Sequence, residues 1–130
     1  MKSSRRTFLG TTTALAAGAT LSSFTSKPAK SMLAHHVFFW LKNPGSVPDR
    51  DKLIEGLRTL KKIESVRDIH IGIPADTEKR PVVDNSYSVS ELIFFDDVAG
   101  QNIYQDHPIH DDFRDTCSML WTQVKIYDSE

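Results

Sequence analysis

The stretch YQDHPIHDDF (Tyr104–Phe113) concentrates side chains that can do chemistry: two histidines three apart, a proline between them, a tyrosine upstream and two aspartates downstream. Pro108 suits the first position of a helix, where its missing N–H has no partner to lose. His107 then stands near the cap and His110 in the first turn. The positive end of a helix favours a neutral imidazole, which can take up a proton as a general base. Tyr104 can donate a hydrogen bond to an oxygen that gains charge. The same residues also admit a purely structural reading, with His107 and His110 holding the helix corner through backbone groups and Asp111 or Asp112. A third reading is a metal: two histidines on one helix face could be completed by His35 or a carboxylate. No H-E-x-x-H pattern is present and the single cysteine, Cys117, sits in an apolar-periodic stretch, so no metal and no cofactor is assigned.

Elements must hold these groups in place. LAHHVFFWL (Leu33–Leu41) is rich in aromatic and branched residues and reads as a strand. Ser46 and Pro48 open a helix with an apolar stripe at Leu53, Ile54, Leu57, Leu60 and Ile63. Residues 66–73 alternate at Ile69, Ile71 and Ile73 and read as a second strand. A polar loop covers 74–86, and a third strand 87–95 is expected to put Tyr87, Val89, Ile93 and Phe95 on one face. Two helical stretches follow, the first opened by a carboxylate before Val98, the second by Pro108. Met119 reads as core filler and Cys117 as a small core residue. Residues 122–128 form a last strand. The order β-α-β-β-α-β is the ferredoxin-like, α+β arrangement with an antiparallel four-stranded sheet.

In the first strand His35, Val37, Phe39 and Leu41 point one way and Ala34, His36, Phe38 and Trp40 the other. Both faces are largely apolar. Helices cover one; the other needs a partner, and a homodimer with facing sheets, a dimeric α/β barrel, is expected. The competing reading covers Phe38 and Trp40 with the 74–86 loop. Only one of His35 and His36 can enter a given cavity. The candidate site is His110 and Tyr104 as acid–base groups, with His107, Val37, Phe39, Phe113 and Trp121 as ligand contacts; a third acid–base candidate, His35, enters with the family resemblance below.

Residues 1–30 differ in composition from the rest. Arg5 and Arg6 precede Phe8, Leu9 and a short, Thr- and Ala-rich run, as in a twin-arginine (Tat) export signal. Residues 31–130 then form the functional domain, in the periplasm or outside the cell. The first thirty residues hold five of the 16 basic residues and none of the 17 acidic ones. Eleven basic residues against 17 acidic remain, a net charge of −6, so a nucleic-acid partner is not expected. After signal removal no membrane association is expected either.

HHVFFWLK (His35–Lys42), VRDIHIGI (Val66–Ile73), HPIHDDF (His107–Phe113) and the terminal YD (Tyr127–Asp128) together resemble the Dabb family of stress-responsive α/β-barrel domains. The resemblance spans Met32 to Asp128. It implies a ferredoxin-like unit that dimerises into a barrel. One plant branch of that family is a polyketide cyclase that closes an aromatic ring by metal-free aldol chemistry. By resemblance to it, Tyr104 and His110 act in catalysis and His35 is the family's strand histidine. Two functions follow as expectations: a small-molecule barrel with cyclase- or lyase-like acid–base chemistry, or a non-catalytic, stress-associated interaction dimer.

Overall fold

The computed structural model describes residues 31–130, together with Gly10 and Gly18. The export-signal reading of residues 1–30 therefore lies outside the described residues. Four strands, β1 (Leu33–Leu41), β2 (Asp68–Gly72), β3 (Val89–Phe95) and β4 (Trp121–Ser129), form one sheet in the order β2-β3-β1-β4. All its pairings are antiparallel. The helices are α1 (Val47–Thr59), α2 (Val98–Gln105) and α3 (Pro108–Cys117), with 3-10 turns at Leu60–Lys62 and Ser118–Leu120. This is the ferredoxin-like α+β fold.

Local chemistry explains the helix ends. The Ser46 hydroxyl accepts from the Asp49 N–H at 3.3 Å and caps α1. Asp97 caps α2 by accepting from the Gly100 N–H at 3.0 Å. Pro108 ends any continuation of α2, because it has no N–H to give to Tyr104 and its ring would collide with that carbonyl. The chain restarts as α3 with Pro108 in its first turn.

The helix-side face of the sheet is the core. Leu33, Val37, Phe39, Leu41, Val89, Ile93 and Phe95 pack against Leu53 and Leu57 of α1 and against Tyr104, Phe113 and Cys117. Cys117 is buried, as its spacing implied. α1 and α3 approach closely at Gly56. A Cβ there would lie 2.5 Å from Cys117 Sγ and 3.1 Å from a Phe113 ring carbon.

Two expectations are corrected. Met119 is exposed rather than core; the tight 3-10 turn sends Leu120 inward and Met119 out. Tyr87 does not share a face with Val89. Regular pairing of β3 starts only at Val89, and Tyr87 instead stacks on Phe38 of the opposite face, with ring centroids 5.0 Å apart. That outer face carries His36, Phe38 and Trp40, all half-buried. The loop leans on its rim, where Trp40 Nε1 donates to Ser86 Oγ at 3.2 Å. Tyr127, at 58% exposure, and half-buried Phe38 remain on this face, so the loop covers only part of it.

Candidate active site

A cavity of about 190 Å³ opens between the helix side of β1, β3 and β4 and the α2–α3 corner. His35, Tyr104 and His110 all line it, as do Val37, Phe39, Phe113 and Trp121. The structure thus brings together seven of the eight residues chosen from sequence. The eighth, His107, is elsewhere. Its Nδ1 accepts from the Ile109 N–H at 3.1 Å, capping α3, and its Nε2 faces Glu64 Oε2 at 3.3 Å. Position explains this: the cap residue turns its ring back over the helix end, away from the cavity.

The break between α2 and α3 fixes the chemistry of His110. Gln105 is the last residue of α2, and its carbonyl is one of those a helix end leaves without an internal partner. His110 Nδ1 lies 3.2 Å from that oxygen. A carbonyl only accepts, so Nδ1 carries the hydrogen and the neutral ring keeps its lone pair on Nε2. Burial first, then the nearby Arg114 charge, lowers the His110 pKa from its ordinary 6.5. The ring is therefore neutral and basic at pH 7. Loss of solvation, rather than the helix dipole expected from the sequence, is the leading cause.

Tyr104 is the hub. Its ring centroid lies 4.6 Å from that of His110 and 5.7 Å from that of His35. Its hydroxyl donates to Glu91 Oε1 at 3.2 Å. His35 Nδ1 lies 2.5 Å from Asp128 Oδ1, at the far edge of the sheet. A carboxylate only accepts, so Nδ1 of His35 carries a hydrogen.

Glu91 was not singled out in the sequence. It stands opposite Val37 and Ile71 in the sheet register and is 1% exposed. Burial pushes its carboxyl up to about 8, partly offset by the Tyr104 hydrogen bond. The signal was its parity: in VSELIFF it shares the inward face with Val89, Ile93 and Phe95, where a carboxyl group is costly.

The chemistry this arrangement offers is proton transfer in a small, mostly apolar chamber. An imidazole base, a phenol donor and a buried acid are present together. Among the described residues, no group of three or more His, Cys, Asp or Glu side chains could hold a metal ion. No helix among them is long and apolar enough to cross a membrane.

Fold and cavity together define a ferredoxin-like α+β domain with a cavity on its helix side lined by His35, Glu91, Tyr104 and His110. Residues 33–130 match the family model described as the stress responsive A/B barrel domain, and the chain belongs to this Dabb family. Similar solved structures include a Dabb family protein with a ferredoxin-like fold from Mesorhizobium loti. It is 24% identical with a TM-score of 0.62, over 76% of this chain and 95% of that one. A dimeric ferredoxin-like protein of unknown function from Thermobifida fusca is 17% identical with a TM-score of 0.61, over 77% and 92% of the two chains. The hydroxynitrile lyase of Passiflora edulis is likewise 17% identical with a TM-score of 0.61, over 77% and 93%. A comparison with curated proteins found no match.

Proposed function

We propose that this chain is an exported homodimeric Dabb protein that binds a small, uncharged aromatic or apolar carbonyl compound and moves a proton on it. His110 Nε2 takes a proton from the carbon beside the carbonyl. The electron pair of that bond forms C=C, and the carbonyl oxygen becomes an enolate. Tyr104 stabilises that oxygen by hydrogen bonding, and the His110 imidazolium returns the proton to carbon or to a leaving oxygen. Aldol reactions begin in this way and retro-aldol cleavages end in it.

The observation that carries this reading is the His110–Gln105 contact, which leaves Nε2 free to act as a base in a cavity shared with Tyr104. The cavity falls below the roughly 300–1,000 Å³ of drug-sized ligand sites, so a one-ring compound suits it. Acetophenone is a suitable probe. It is expected to raise the melting temperature of the wild-type protein and not that of His110→Ala. No shift with acetophenone or its ring-substituted relatives would favour the second reading, a non-catalytic interaction dimer. The half-buried aromatic outer face supports that alternative. Dimerisation itself is supported by that face and by neighbours described as dimeric. Export rests on Arg5 and Arg6 and the run that follows them; cell fractionation that finds the chain only in the cytoplasm would contradict it.

A further inference from the structure

Glu91 occupies a place where the sheet calls for an apolar side chain. Val89, Ile93 and Phe95 flank it along the inward face of β3, and β2 sets Ile71 beside it. α1 turns Leu53 and Leu57 into the same core. The titratable and charged groups sharing its cavity are His35 from β1, Tyr104 from α2, and His110 and Arg114 from α3. Asp128 of β4 reaches His35, and Arg114 pairs with Asp111. Among the described residues no cation pairs with Glu91; its hydrogen-bond partner is the Tyr104 hydroxyl. A buried carboxylate without a cation is disfavoured, whereas a buried carboxylic acid can remain neutral and donate.

We propose that Glu91 is a positioning residue: as the neutral acid it donates its proton to the Tyr104 oxygen, which turns the tyrosine's own proton toward the carbonyl oxygen of an uncharged ketone or aldehyde. This deepens the proposed function and rests on it. The 3.2 Å contact serves in either direction. With Glu91 ionised, Tyr104 must donate to it and has no proton left for the ligand. With Glu91 protonated, the chain Glu91 O–H, Tyr104 O–H and ligand C=O runs one way. The acid and the base are then separate groups: Glu91 acts through Tyr104 on the oxygen, and His110 acts on carbon. The raised Glu91 value places the neutral acid at physiological pH.

Two measurements test this, one of them without ligand. In protein carrying carboxyl-labelled glutamate, the Glu91 NMR resonance is expected to titrate near pH 8. In Tyr104→Phe its midpoint should rise further, because the charge-assisted bond that Tyr104 gives the carboxylate, stronger than the one the neutral acid gives Tyr104, is gone. A midpoint in the ordinary carboxylate range, or one unmoved in Tyr104→Phe, overturns the proposal. The second measurement is acetophenone affinity. It should fall about tenfold in the wild-type protein from pH 7 to pH 9, following the neutral fraction of Glu91. In Glu91→Gln, whose amide donates at every pH, it should stay flat. His110, already neutral, is silent across this window. Identical pH profiles for the two proteins overturn the proposal. Failure of acetophenone to bind wild-type protein at pH 7 sinks the ketone-binding reading and the ligand half of the proposal with it. The free-protein titration then still decides the proton half.

Discussion

A carboxyl group held neutral inside the fold ties stability to pH, and Glu91 and His110 do so with opposite signs. The folded-state value of Glu91 lies above its ordinary 4.5. Its contribution is therefore complete below pH 4.5 and is lost as pH rises through about 8. At roughly 1.4 kcal/mol per unit, the loss is on the order of a few kcal/mol. The folded-state value of His110 lies below 6.5, so its contribution is complete above pH 6.5 and is lost as pH falls through the lowered value. Urea unfolding of wild type and Glu91→Gln at pH 5 and pH 8 separates the two. The difference between them should move in favour of Glu91→Gln at pH 8, and parallel profiles would show that Glu91 does not hold its proton. His110 and Tyr104 were legible in the sequence because polar groups beside a proline stand out; the strand pattern left His35 and His36 open, and His35 followed from the resemblance to the Dabb family. Glu91 was not, because an alternation count registers the apolar neighbours and passes over the one polar residue that shares their face. His107 misled for a related reason: spacing shows that two histidines are near each other, but not that a cap turns one of them away.

At the scale of elements, the pocket depends on how closely α1 approaches α3, because α3 carries His110, Phe113 and Arg114 to its wall. Gly56 permits that approach. On an exposed helix, Gly→Ala stabilises by about 1 kcal/mol. Here the added methyl meets Cys117 Sγ at 2.5 Å, inside a core with no exposed surface at Cys117. Overpacking of this kind costs typically 1–3 kcal/mol, so Gly56→Ala should destabilise, as read by a lowered denaturant midpoint. A raised midpoint would mean that the helices part without penalty. Element order and most caps were readable: Ser46 before Pro48 announced α1, and Pro108 announced α3. Tyr87 and Met119 were not. The first lies before the pairing register begins, the second in a 3-10 turn whose period differs from the helix preceding it.

For the molecule as a whole, two sheet faces share one layer of helices. The outer face keeps Phe38, Trp40 and Tyr127 in contact with water despite the loop at its rim. The proposed second copy would bury them. Sedimentation should find a dimer at micromolar concentration for wild type and a monomer for Phe38→Glu, which places a charge at the centre of that face. A wild-type monomer would contradict the assembly without touching the pocket. Proton transfer is the central claim, and it can be observed directly. In D₂O, the methyl protons of acetophenone exchange for deuterium only if a base removes them. Proton NMR should show the wild-type protein accelerating that exchange above buffer, with the acceleration lost in His110→Ala. Exchange at the buffer rate with saturating wild-type protein would contradict the assignment of His110 as a base.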